Sequence, residues 1–195
     1  MFTGIIKACQ EVASISKEGG ILSVQIKLPN GWELEIGESI NVNGVCSTVV
    51  IASQEHFVVE YMPETLKLTT IGQISHGDFV NLERSLTLTD LISGHLVSGH
   101  VDGVSEVIDV REDAGSFLIT LAIPERGAKY LIHKGSVAVN GISLTVIDPT
   151  TSSFQVAIIP HTWKETNLHK LVAGDKVNLE YDIMAKYIER MQNYG

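Results

Sequence analysis

At 195 residues, with 44% hydrophobic and 19% charged residues, the chain has the composition of a folded protein of one or two domains. The net charge of −9, with no dense Lys/Arg run, argues against nucleic acid and anionic membrane surfaces as partners. No apolar run approaches bilayer-spanning length, and the opening MFTGIIKACQ lacks the pattern of a secretory signal. Cys9 and Cys46 therefore read as two reduced thiols of a cytoplasmic protein.

In chain order, the first strand-like stretch is LSVQIKLP (22–29), followed by HFVVEYM (56–62), FLITLAIP (117–124) and FQVAIIP (154–160). Each mixes alternation with β-branched residues over five to eight positions. Gly and Asn punctuate between them, at Glu18-Gly19-Gly20, Asn43-Gly44 and Asn140-Gly141. Short strands at regular spacing, with no long helical period between them, predict a closed barrel or a sandwich, and closure removes exposed strand edges. Residues 85–94, SLTLTDLISG, read as a link between halves. One helix is predicted, at the end: Asp182 can cap it, and Ile183, Met184, Tyr187, Ile188 and Met191 form an apolar stripe. That stripe suits a partner subunit and the chain's own surface equally well.

The chain is written twice. SINVNGVCSTV (39–49) and SVAVNGISLTV (136–146) share six of eleven residues at an offset of 97, and GDFVNLE (77–83) matches GDKVNLE (174–180) at the same offset. Met62-Pro63-Glu64-Thr65 pairs likewise with Ile159-Pro160-His161-Thr162. Nearer the N-terminus the offset is 95, pairing Gly4 with Gly99 and LSVQIKLP with FLITLAIP. Matched motifs in one order mean a small fold duplicated and fused, so a cleft in one half should have a counterpart in the other.

Other motifs are weak. KGSVAVNG (134–141) lacks the glycine spacing of a phosphate loop. His95 and His100, five apart in HLVSGH, would face opposite ways on an extended strand and so would not converge on one ion, and no metal is expected.

Taken together, MFTGII, VNGVCST (42–48), MPET (62–65), NLER (81–84), GHLVSGHVDG (94–103), VNGISLTV (139–146) and IPHT (159–162) resemble the riboflavin synthase family, the trimeric type built of two lumazine-binding repeats. The resemblance covers the whole chain. It implies an all-β fold of two tandem six-stranded Greek-key barrels: a first lumazine-binding barrel at 1–94, a second at 95–182, and a C-terminal helix at 183–195 that assembles a homotrimer. It also implies a dismutation in which two molecules of 6,7-dimethyl-8-ribityllumazine exchange a four-carbon unit. The products are riboflavin and 5-amino-6-ribitylaminouracil, and no cofactor is needed. In the family the first barrel of one subunit faces the second barrel of the next, and lumazine synthase is a candidate partner. Holding two identical substrates in register can lower the barrier by up to about 7–11 kcal/mol.

Residues that the repeats share should serve ring and ribityl binding: Gly4 and Gly99 by close approach, Thr48 and Thr145, and Thr65 and Thr162, by their hydroxyls. Turns are the simpler reading of the Asn-Gly pairs, and loop caps an alternative for Thr65 and Thr162. Differences should mark donor and acceptor: Cys46 against Ser143, Ile5 against His100, Glu64 against His161. The resemblance implies a catalytic set of Cys46, His100, Ser143, Asp182 and Ser39. It implies substrate binding by Gly4, Ile5, Ile6, Cys46, Ser47, Thr48, Met62, Pro63, Glu64 and Thr65, and by Gly99, His100, Val101, Lys134, Ser143, Leu144, Thr145, Ile159, Pro160, His161 and Thr162. The chemistry needs addition at C7 of one lumazine, which Cys46 or Ser143 could assist, and a base at the C7 methyl of the other, a role for His100. Ser47 departs from the family, which carries Leu there as Leu144 does, and Ser93 stands where Gly is commoner. Rival readings are a lumazine-binding antenna protein and a flavin oxidoreductase. Two retained motif sets and His100 favour two working pockets, and a nicotinamide-binding G-x-G-x-x-G domain is missing.

Overall fold

The computed structural model describes residues 1–194, so Gly195, the last residue of the expected helix, lies outside the described residues. Alternating apolar residues make twelve strands. The first six are β1 (Ala8–Glu18), β2 (Ile21–Lys27), β3 (Ser39–Val42), β4 (Val45–Ala52), β5 (His56–Tyr61) and β6 (Phe79–Arg84). The second six are β7 (Gly103–Asp113), β8 (Ser116–Ala122), β9 (Ser136–Val139), β10 (Ile142–Ile147), β11 (Ser153–Ile158) and β12 (Lys176–Tyr181). They close into two antiparallel barrels of one topology, β1-β2-β5-β4-β3-β6 and β10-β11-β8-β7-β12-β9. The duplication extends to fine detail: β1 is bulged between Val12 and Ser14, and β7 between Val107 and Asp109.

Each barrel is filled by its own inward-facing side chains. Val24, Ile26, Ile40, Phe57, Val59 and Leu82 lead the first core, and Ile119, Leu121, Val137, Phe154, Val156 and Leu179 the second. Proline at the first helical position, where its missing N–H costs nothing, starts the two short helices α1 (Pro63–Leu68) and α2 (Pro160–Glu165). Thr69 and Thr166, not Thr65 and Thr162, supply the caps: each hydroxyl accepts an amide of the 3₁₀ turn that follows. The terminal helix α3 (Ile183–Tyr194) starts as the sequence suggests, with the Met184 amide donating to Asp182 Oδ1 at 2.9 Å. It lies against Ala128–Tyr130, and the Lys186 ammonium reaches Asp102 Oδ2 at 2.5 Å. Met184, Tyr187, Ile188 and Met191 nonetheless remain 55–72% exposed. Among the described residues no helix is long and apolar enough to cross a membrane.

Candidate functional site

The two segments before β1 and β7 are exchanged between the barrels. The Gly4 carbonyl accepts the Ser143 amide of β10 at 2.8 Å, and the Gly99 carbonyl accepts the Cys46 amide of β4 at the same distance. Ile6 packs on the second barrel's core and Val101 on the first. Phe2 and Val97 pair with each other where the segments cross. Glycine is required at both crossings: φ is +75° at Gly4 and +80° at Gly99. A Cβ there would lie 2.6 Å from Cβ of Ser143 and of Cys46 respectively.

Two buried carboxylates hold these segments. Glu83 accepts the Thr3 amide and hydroxyl at 2.7 Å and the Gly4 amide at 2.9 Å. Glu180 accepts the Ser98 amide at 2.7 Å, the Ser98 hydroxyl at 2.6 Å and the Gly99 amide at 2.9 Å. Burial raises the Glu83 pKa, and these hydrogen bonds draw it partly back. Neither glutamate is among the expected site residues, although both end the matched GDxVNLE motif. The repeat flags the position; only the fold shows what it grips.

The exchange sorts the expected residues into two groups. Beside the first barrel stand Cys46 and Thr48 on β4, with Gly99, His100 and Val101. Beside the second stand Ser143 and Thr145 on β10, with Gly4, Ile5 and Ile6. Strand alternation turns Cys46 and Thr48, and Ser143 and Thr145, to the outer face, where Gly99 and Gly4 half-bury Cys46 and Ser143 and leave the threonines to solvent. Ser39 pairs with Thr48, and its carbonyl accepts the Ser85 hydroxyl at 2.8 Å. Met62 and Ile159, each 61% exposed, head the two short helices, followed by Pro63-Glu64-Thr65 and Pro160-His161-Thr162. His100 is exposed. Lys134 holds φ +64° where the repeat has Gly37 at φ +91°.

Ser47 faces the core. Its hydroxyl lies 2.8 Å from Tyr61 Oη and donates to the Val45 carbonyl at 3.0 Å, so a polar side chain is satisfied where the second barrel has Leu144. Asp182 caps α3 and stands near His95, whose Nδ1 is 2.7 Å from Ser143 Oγ. Burial and the neighbouring Glu165 push the Cys9 thiol up to about 11, against the pull of Lys170, so it is a poor nucleophile near neutral pH. A cleft of about 1020 Å³ lies between the linker and the first barrel and holds only Ile5 of the expected residues. Among the described residues no group of three or more His, Cys, Asp or Glu is arranged to hold a metal ion. The two groups are thus of like build and unlike chemistry, a thiol in one and a hydroxyl in the other.

A model of the lumazine binding domain matches residues 3–85 and again 98–182. The chain is 42% identical to riboflavin synthase of Actinobacillus pleuropneumoniae, covering 97% of this chain and 89% of that one. It is 40% identical to riboflavin synthase of Photobacterium phosphoreum, over 98% and 88%. Among solved structures, LumP complexed with 6,7-dimethyl-8-(1'-D-ribityl) lumazine superposes with a TM-score of 0.84 at 25% identity, covering 92% of this chain and 98% of that one. LumP complexed with riboflavin gives 0.87 at 24%, covering 93% and 99%.

Proposed function

From the premise that this chain belongs to the riboflavin synthase family, we propose a division of labour between its two half-sites. The protein is a riboflavin synthase: it takes two molecules of 6,7-dimethyl-8-ribityllumazine and transfers four carbons from one to the other. Riboflavin and 5-amino-6-ribitylaminouracil leave. A dismutation of two identical molecules is served by a duplicated fold, and the exchanged segments are the observation that carries the assignment of residues. One lumazine lies over Cys46, Thr48, Met62–Thr65 and Gly99–Val101. The other lies over Gly4–Ile6, Lys134, Ser143–Thr145 and Ile159–Thr162. Ser47 and Leu144 contribute backbone, and Ser39 and Asp182 border the two groups.

His100 takes the proton from the C7 methyl of one substrate. Cys46 or Ser143 supports addition at C7 of the other. Positioning supplies most of the rate, because the substrate ring itself delocalises the developing anion.

Neither half-site is enclosed, so each is completed by its opposite number on a neighbouring subunit. The apolar stripe of Met184, Tyr187, Ile188 and Met191, left uncovered by the chain's own barrels, supports α3 as the element that joins a homotrimer. Lumazine synthase, the family's candidate partner, remains a further proposed contact. The unpaired thiols of Cys9 and Cys46 fit a reducing cytoplasm.

The deciding experiment is a turnover assay with purified protein and 6,7-dimethyl-8-ribityllumazine, without metal or nucleotide. Two substrates should vanish for each riboflavin formed. Tight fluorescent binding with no product would instead assign the chain to the antenna class.

A further inference from the structure

His95 has no part in the roles given above, yet it is the side chain bonded to Ser143. The residue is only 8% exposed. Its backbone amide donates to the Thr3 carbonyl at 3.2 Å, and Nδ1 lies 2.7 Å from Ser143 Oγ. Its other nitrogen, Nε2, is buried without a hydrogen-bond partner among the described residues. Gly94 makes the approach possible: a Cβ there would sit 2.2 Å from the Thr3 carbonyl oxygen and 2.9 Å from Ser143 Oγ. Burial favours the uncharged ring, opposed in part by the charge of Asp182.

A histidine retained for packing is expected to satisfy both nitrogens or to be replaced by an apolar residue, since an unpaired buried polar atom costs stability. Here the ring leaves one nitrogen unpaired, and its side chain makes a single hydrogen bond. That bond goes to the hydroxyl assigned above to the second half-site. Local rules broken without a structural return mark function. Cys46, the repeat counterpart of Ser143, has no side-chain hydrogen bond among the described residues, so this device belongs to one half-site alone.

We propose that His95 is a positioning residue for the synthase reaction, fixing the rotamer of the Ser143 hydroxyl toward the lumazine bound at the second barrel. The proposal rests on Ser143 touching substrate. It acts on orientation: no bond to His95 is made or broken.

The test compares the intact chain with His95→Leu, His95→Asn, Ser143→Ala and the His95→Leu/Ser143→Ala pair, reading kcat, KM and melting temperature with 6,7-dimethyl-8-ribityllumazine. His95→Leu should lower kcat about tenfold, the size of one hydrogen bond, while the melting temperature holds or rises. His95→Asn keeps a polar atom where Nδ1 stood and should recover most of the rate. In the Ser143→Ala background, His95→Leu should cost nothing further. Unchanged kcat in His95→Leu, additive losses in the double variant, or a fall in melting temperature with failure to fold would each overturn the proposal and leave the synthase reading intact. No turnover by the unaltered chain would overturn both.

Discussion

At the scale of single residues, Gly4 and Gly99 are where conformation and chemistry meet. Each lies at positive φ and leaves no room for a Cβ, because a catalytic-candidate side chain from the opposite barrel occupies that space. Gly115, at φ +82° with nothing within 4 Å of its Cβ position, separates the two effects. Gly115→Ala should cost about 1–2 kcal/mol from backbone conformation alone and leave turnover untouched. Gly99→Ala and Gly4→Ala should cost more than that and lose most turnover, each by displacing the strand that carries Cys46 or Ser143. Chemical denaturation and the turnover assay check this together; equal damage from all three would show the close approach to be unimportant. Lys134 follows the same logic with opposite sign. It keeps a charged side chain at φ +64° where the repeat uses glycine, which supports a role for the ammonium beyond the fold.

At the scale of elements, the exchange Ser47 for Leu144 is resolved by a second exchange one strand away. Tyr61 on β5 stands where β11 has Ile158, so a small-plus-large pair in one barrel replaces two medium side chains in the other. Burial raises the Tyr61 pKa, and the Ser47 hydroxyl beside it draws it partly back, so Tyr61 stays a neutral phenol. Ser47→Leu should crowd Tyr61 and strip its partner. Tyr61→Ile should leave a void. Each should lower unfolding free energy by about 1–3 kcal/mol, while Ser47→Leu with Tyr61→Ile should return to within about 1 kcal/mol of the parent. Urea unfolding of the four proteins reads the coupling, and additive losses would refute it.

This pair also shows what one sequence exposes. The duplicated motifs imply both barrels and the Asn-Gly turns, and the terminal apolar stripe implies the Asp182 cap, because these depend on local periodicity and local hydrogen bonds. Compensation between Ser47 and Tyr61 depends on which strands adjoin, and so was not legible. The assignment of Gly4 to the second barrel was hidden for the same reason: an offset of 95 pairs Gly4 with Gly99 but says nothing about which barrel either touches. On an extended strand His95 and His100 would face opposite ways and serve no common site. The segment is instead a glycine-bent loop, with His95 buried and His100 exposed.

At the scale of the whole molecule, the barrels are joined by an asparagine network that obeys the repeat. Asn81 of β6 donates through Nδ2 to the Asn140 carbonyl (3.1 Å) and to Asn167 Oδ1 (2.9 Å), and its Oδ1 accepts the Asn167 amide (2.8 Å). Its counterpart Asn178 of β12 donates to the Asn43 carbonyl and accepts the Thr70 amide, both at 2.7 Å. Each side chain belongs to one barrel and satisfies buried backbone of the other, and the two Asn-Gly turns touch between them, with no room for a Cβ on Gly44 or Gly141.

The matched VNLE motifs put Asn on the outward face of each strand, a position that reads as solvent-exposed until the second barrel covers it. Both asparagines are almost wholly buried. Removing either leaves polar groups of the opposite barrel unpaired, at roughly 1–3 kcal/mol for each group that water does not reach. Asn81→Ala and Asn178→Ala should therefore weaken the interface between barrels rather than the core of either. Calorimetry should show one transition for the parent and a broadened or split one as the variants are combined, with turnover lost before either barrel melts. A combined variant that still melts in one sharp transition at the parent temperature would show that the exchanged segments alone couple the barrels.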